Sequence, residues 1–177
     1  IDINRDLINT YKAVRDHVDC LIRLLEDIEQ EYLAQDMETR KKTYYGIRKA
    51  FNLRKVDTGQ VDTEKASQFI FLNKTCFNGL YRVNKSGGFN VPFGDYKSPT
   101  ICAAENLSVA SILLKKVEIV HGDFRKASTY ADSETFVYFD PPYRPLNETS
   151  SFTSYSKQDF TDDDQVALAD FYRRLHD

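Results

Sequence analysis

The sequence predicts an α/β protein with a doubly wound, mostly parallel sheet, and three stretches lead to that reading. Residues 136–139 (Phe-Val-Tyr-Phe) form an apolar, aromatic and β-branched run that reads as a buried strand. It stops at Pro141 and Pro142, which cannot donate to a sheet ladder. Residues 117–120 (Val-Glu-Ile-Val) read as a second strand, closing on His121-Gly122-Asp123. Ile1-Asp2-Ile3-Asn4 reads as the tail of a third, because an acidic residue there leads straight into a helix. Each strand thus delivers an acid (Asp2, Asp123, Asp140) to its carboxyl end, where open α/β sheets bind their ligands.

The bulk properties narrow the classes. A chain of 177 residues fits one domain or a domain with a sizeable insertion, and a hydrophobic share of 41% is enough to build a core. The apolar runs are too short to span a bilayer and no signal-peptide pattern opens the chain, which points to the cytoplasm. Cys20, Cys76 and Cys102 are odd in number, widely spaced and free of any CxxC pair, so they read as reduced thiols. His17, His121 and His176 are equally scattered, and no metal site is expected. The net charge of -3 exerts no general pull toward nucleic acid, so the distribution of charge matters more than its sum.

From the start, Asn4 or Asp6 is placed to cap a helix carrying Leu7, Ile8, Tyr11, Val14, Val18, Leu21, Ile22 and Leu25 at helical spacing. Asp2, at the strand end before it, suits a ribose diol as a doubly wound fold would hold one, or serves as a second helix cap. Residues 32–53 are again helical in pattern. Between Arg40 and Lys55 there are seven Lys or Arg residues and no acid, interleaved with Tyr44, Tyr45, Ile47, Phe51 and Leu53. Such a run is a solvated helix face by default and a phosphate-facing surface second. A loop around Gly59 leads to a further helix from Thr63 that carries Ala66, Phe69, Ile70, Leu72 and Cys76.

Residues 77–94, FNGLYRVNKSGGFNVPFG, break that pattern with four glycines. Two short β-like runs, 80–83 and 89–93, flank the turn 85–88 and predict a hairpin. Arg and Asn side chains read guanine and adenine edges, so Arg82 is a candidate base reader, and Phe77 can wedge between bases. Lys85 and Lys97 are candidate phosphate contacts. The bland alternative is a glycine-rich hairpin with scattered polar side chains. A helix over 103–114 then precedes the strand at 117–120. Asp123 can accept from an adenine amine, or is simply a turn carboxylate.

Asp140-Pro141-Pro142-Tyr143 has the richest chemistry. A carboxylate and the Pro141 carbonyl can accept hydrogen bonds from an exocyclic amine while the Tyr143 ring stacks on its base. The alternative is a strand that merely ends in a Pro-Pro turn. The polar stretch 144–155 is long enough for a flap. A last helix, 161–175, opens with Asp162, Asp163 and Asp164, as the helix dipole favours.

Taken together, IDINRDLINTY, NKTCFNGLYRVNKSGGFNVPFGDYK, VEIVHGDF and FVYFDPPYRPL, with SSFTSYSKQDF as a looser match, resemble the Dam-like DNA adenine-N6 methyltransferases. The resemblance implies a Rossmann-like, S-adenosylmethionine-dependent methyltransferase core with a helical and hairpin DNA-recognition insertion. It divides the chain into core at 1–30, target-recognition insertion at 31–97 and core again at 98–177. It further implies that Asp140 and the Pro141 carbonyl hold the N6 amine of a flipped adenine and that Tyr143 stacks on the base. Asp2 would take the cofactor ribose, and Asp123 with the Phe124 backbone its adenine. Phe77, Asn78, Leu80, Arg82 and Pro92 would belong to the base-reading element, with GATC as the site. The expected partner is double-stranded DNA, with a cognate restriction endonuclease system but no stable complex. The family's FxGxG loop has no counterpart here, so the stretch reads as the central part of a larger enzyme that alone binds cofactor weakly. Two rivals are an amino-methyltransferase acting on RNA or protein glutamine and a non-catalytic DNA-binding module.

Overall fold

The computed structural model describes residues 1–56, 59–142 and 160–176. Among these residues six α-helices carry the fold: α1 (Arg5–Asp16), α2 (Val18–Leu33), α3 (Met37–Leu53), α4 (Thr63–Thr75), α5 (Ala104–Leu114) and α6 (Asp162–His176). Short 3-10 turns at Phe77–Gly79 and Phe124–Thr129 complete the regular structure among the described residues.

Asn4 is the cap that α1 uses: its side chain accepts from the N–H groups of Asp6 and Leu7. The single helix expected over 7–25 is two. The backbone leaves helical geometry at His17 (φ -135°, ψ 32°), yet His17 N–H still reaches the Ala13 carbonyl and Leu21 N–H the His17 carbonyl. The ladder is interrupted there, and the Arg15 carbonyl accepts instead from the Ser111 hydroxyl at 3.2 Å. Between α2 and α3 the chain turns at residues 34–36, and Asp36 caps α3 by accepting from Thr39 N–H.

The core lies among α1, α2, α3, α4 and the hairpin. Leu21, Leu25, Tyr32, Tyr44, Phe51, Phe71, Leu72, Val91 and Ile101 are buried there. Phe71 is wholly buried and meets Tyr32 edge-on with ring centroids 5.1 Å apart. Burial carries the Tyr32 phenol up to about 12, against the opposing pull of Arg40.

Three cations of the basic run find partners within the protein, and one of them, Arg40, is buried. The buried Arg40 guanidinium donates to the carbonyls of Tyr32 (3.0 Å), Leu33 (2.7 Å), Gln35 (3.0 Å) and Lys97 (2.7 Å). It satisfies the last carbonyls of α2 and ties the chain beyond the hairpin to the same corner. Arg54 pairs with Asp62 and Glu64, each at 2.5 Å. Arg48 donates to the Val91 carbonyl and lies over the Tyr45 ring. The expected solvated or phosphate-facing surface is thus only part of that run.

The hairpin forms as expected. Val83 pairs antiparallel with Phe89 and Cys76 with Phe93, and Gly87 takes the positive φ (84°) that its turn needs. Asn52 of α3 grips the Phe89 backbone at both its N–H and its carbonyl. Gly94 is required by space, since a Cβ there would stand 2.5 Å from the Cys76 carbonyl oxygen.

The sheet is where expectation and structure differ. Among the described residues the strands expected at 117–120 and 136–139 form no ladder, and one parallel bridge, Asp2 with His121, is the whole of the parallel pairing. Phe136 is 90% and Tyr138 77% exposed, so this stretch is not the buried strand its composition predicts. A buried extended segment needs partner strands for its backbone groups, and among the described residues 136–139 has none, so it lies in water.

Candidate functional site

The acidic edge is assembled from three directions. Asp2 N–H donates to the Val120 carbonyl at 3.0 Å, and Gly122 N–H to the Asp2 carbonyl at 2.9 Å. This parallel exchange sets Asp2 directly beside the backbone that leads into Asp123. One Asp2 carboxylate oxygen accepts from Asn4 N–H at 2.6 Å, and the other takes no donor among the described residues. Asp2 is therefore a local cap and an open acceptor at once.

Asp123 caps the turn Phe124–Thr129 by accepting from Arg125 N–H at 2.9 Å. Both its oxygens also lie 3.0 Å from Arg125 Nη1, while the same guanidinium sits 4.5 Å over the Phe124 ring. The turn-carboxylate reading is what the geometry displays. A ligand amine would share the carboxylate with Arg125, whose side chain leaves part of it exposed.

Asp140 is exposed and accepts no hydrogen bond from the described residues. Its position comes from its neighbours. Phe139 meets Phe171 and Tyr172 of α6 at centroid distances of 6.0 and 6.4 Å. Phe124 meets the same Phe171 at 5.5 Å. One buried ring of α6 thus joins the segments that carry Asp123 and Asp140, and Gln165 adds a bond to the Pro142 carbonyl at 3.2 Å. The start of α6 is fixed by a capping box in which Thr161 and Asp164 exchange side-chain-to-backbone bonds. Those bonds hold the Asp164 carboxyl below its usual range. Tyr143 and the stretch 144–155 lie outside the described residues.

The hairpin forms a second locus. Phe77 and Leu80 are half exposed, at 50% and 48%, and Asn78 between them adopts a left-handed φ of 54°. Asparagine tolerates that geometry better than most side chains. Phe77 N–H donates to the Pro92 carbonyl at 2.9 Å, so Phe77 and Pro92 stand side by side. Arg82 donates from Nε to the Asn90 side chain at 2.8 Å and from Nη2 to the Asn90 carbonyl at 3.3 Å. The Nη1 side of its fork keeps no protein partner among the described residues. Lys85 is exposed at the turn, and Lys97 has an exposed side chain on a backbone held by Arg40. An open groove of about 450 Å³ runs beside this locus, lined by residues of α3 and by Pro92, Phe93 and Asp95.

Sequence reasoning missed Asn90, Phe171, Arg125 and Asn52. Only Asn52 left a trace, standing on one helix row with Tyr44 and Arg48 at four-residue spacing. Among the described residues no helix is long and apolar enough to cross a membrane.

Comparison with known proteins first gives the class. The chain belongs to the D12 class N6 adenine-specific DNA methyltransferases, whose family model matches residues 1–177. Among particular relatives, it is 57% identical over 174 residues to Type II methyltransferase M.MjaIII of Methanocaldococcus jannaschii, a match covering 98% of this chain and 60% of that protein. It is 39% identical to Type II methyltransferase M1.LlaDCHI of Lactococcus lactis subsp. cremoris, covering 98% and 59%. A DNA adenine methylase of Vibrio cholerae is 37% identical over 171 residues, covering 96% and 57%. The chain thus spans about three-fifths of the length of these relatives.

Proposed function

We propose that the full-length protein containing this chain transfers a methyl group from S-adenosylmethionine to adenine N6 in duplex DNA, at GATC. The observation that carries this reading is the parallel pairing of Asp2 with His121, together with the Phe171 contacts that bring the Asp123 and Asp140 segments to one edge. That pairing also supports a Rossmann-like, doubly wound core, with residues 31–97 as the recognition insertion.

The residues present fit the cofactor in part. Asp2 offers an open carboxylate oxygen for a ribose hydroxyl, and Asp123 with the Phe124 backbone would take the adenine beside Arg125. When bound, S-adenosylmethionine supplies an electrophilic methyl group on a sulfonium that departs as a neutral thioether. The chain's own task is then positioning and electrostatics. Asp140 and the Pro141 carbonyl accept from the N6 amine and turn its lone pair toward the methyl carbon. Exposure of Asp140 with no internal partner suits a group that waits for a substrate donor. Tyr143 is assigned to stacking on the extruded base.

On the hairpin, Arg82 is assigned to guanine O6 and N7, with Asn90 steering its guanidinium. Phe77, Asn78, Leu80 and Pro92 complete the base-reading surface, and Lys85 and Lys97 contact phosphates. The relatives named as Type II methyltransferases support a place beside a restriction endonuclease that recognises the same site. The test is methylation of a GATC duplex and of duplexes with one base pair changed. Transfer to adenine in GATC alone is expected. Equal transfer to all duplexes would overturn the site, and no transfer to any duplex would overturn the activity.

A further inference from the structure

The outer edge of the hairpin is paired with a helix. Backbone groups of alternate residues in an antiparallel strand point to opposite sides. Asn90 N–H donates across the hairpin to the Arg82 carbonyl at 3.0 Å, and its neighbours Phe89 and Val91 turn theirs the other way. An edge of that kind ordinarily needs a further strand or water. Here α3 meets it with side chains. Phe89 N–H donates to Asn52 Oδ1 at 2.8 Å, and Asn52 Nδ2 donates back to the Phe89 carbonyl at 3.0 Å. The Val91 carbonyl accepts from the Tyr44 hydroxyl at 2.8 Å and from Arg48 Nη1 at 3.0 Å. Tyr44, Arg48 and Asn52 fall four residues apart, on one row of α3. Four residues of helix rise about 6 Å and two of strand about 6.8 Å, so the row keeps step with alternate residues of the edge.

Within that row Asn52 alone holds both groups of one residue, and its amide has one workable orientation, since a flip would set N–H against NH₂ and oxygen against oxygen. It therefore fixes the register of the strand. A slip of one residue would present Asn90 to α3 and turn the buried Phe89 and Val91 side chains into water. Asn90 stands between the two gripped residues and holds Arg82, its side-chain oxygen taking Nε at 2.8 Å and its carbonyl Nη2 at 3.3 Å. We propose that Asn52 is a positioning residue for sequence discrimination: it sets where Asn90 holds the Arg82 fork, and so how squarely that fork meets a guanine. This rests on the function proposed above. Both bonds of a bidentate contact need the same placement, so a loosened strand loses discrimination before it loses binding.

The experiment uses the full-length protein and compares kcat/KM on a GATC duplex with kcat/KM on duplexes carrying one changed base pair. Arg82→Ala first identifies the pair that Arg82 reads. Asn52→Leu keeps the size of the side chain and removes both bonds from an exposed position. It is expected to cut discrimination at that same pair by about 5-fold or more, with the other pairs moving by less than about 2-fold. Joined to Arg82→Ala it should add no further loss there, because both residues act through one contact. Asn52→Asp keeps the acceptor for Phe89 N–H and sets a second acceptor against the Phe89 carbonyl, and it should lose discrimination at the same pair. Amide hydrogen exchange supplies a readout that does not depend on catalysis. Phe89 N–H should exchange faster in Asn52→Leu, while Asn90 N–H, bonded across the hairpin, keeps its protection. Full discrimination in either variant overturns the proposal. So does an equal loss at every base pair, which marks a residue that only supports the hairpin, or a Phe89 amide as protected as before. A wild type that transfers no methyl group to any duplex fails the functional reading itself and takes the proposal with it, a result distinct from a wild type that discriminates no better than Asn52→Leu.

Discussion

The helical body and the acidic edge of this chain are held by different means. In the body, α1 to α4 satisfy their backbones internally and bury rings such as Phe51 and Phe71 against one another. At the edge, one parallel bridge among the described residues and the aromatic grip of Phe171 do the work, and Phe136, Tyr138, Val117, Ile1 and Ile3 keep half or more of their surface in solvent. The contrast teaches that helices are a local solution to backbone hydrogen bonding and strands a collective one. The body can take shape from what lies within about a hundred residues. The edge places its carboxylates but borrows its order from neighbours.

The sharpest way to break that comparison is to attack both regions and read stability. Phe71→Ala removes a wholly buried ring and should cost about 3–5 kcal/mol, seen as a large fall in the thermal midpoint of the chain. An intact midpoint would mean the body is not the stabilising unit. Activity should divide the regions the opposite way. Asp140→Ala in the full-length protein should slow transfer by about 10²–10³ while leaving the midpoint in place, because an exposed carboxylate without internal partners has little to contribute to folding. Transfer at the wild-type rate would remove Asp140 from the chemistry.

Smaller effects refine the body itself. Arg82→Ala should lose about 1–3 kcal/mol of discrimination at one base pair, measured by comparing duplexes that differ only there. Lys97→Ala should weaken binding to all duplexes alike and flatten the salt dependence. If Arg82→Ala discriminates as well as wild type, the guanine reader is another side chain. The smallest effect belongs to the edge: Phe136→Ser in the chain should move stability by no more than about 0.5 kcal/mol, since the ring is already in water. A loss several times larger would show that the ring has a partner after all.

Much of this was legible in the residues. The Asn4 cap, the hairpin about Gly87 and the start of α6 follow from local chemistry, which a single sequence carries in full. Arg40 was not legible. A cation in a basic stretch looks solvated whether it faces water or closes a corner with four carbonyls, and only the fold says which. Lys65 is similar: buried, over the Phe51 ring at 4.1 Å, and donating to the Phe51 and Arg54 carbonyls, it gave no sign of this in its helix pattern. The run at 136–139 shows the converse. Its composition announces strand propensity, but ladder formation depends on partners that propensity cannot supply. The three acids were singled out from their position at the ends of expected strands, and the parallel bridge between Asp2 and His121 brings the segments of two of them together.

The inward turn of Arg40 and the pairing of Arg54 also bear on how tightly the protein would follow ionic strength. Seven cations lie between Arg40 and Lys55, but Arg40 is covered by backbone and Arg54 already faces two carboxylates. The other five stay accessible to a duplex, although Arg48 makes one carbonyl bond to Val91 and Lys42 an exposed pair with Glu38. At about 0.9 per phosphate met, the logarithmic salt slope of binding should be shallower by about 1.8 than a count of basic letters suggests. Removing the charge of Arg40 should leave that slope untouched while loosening the corner it closes, whereas removing that of Lys41 or Lys49 should do the reverse.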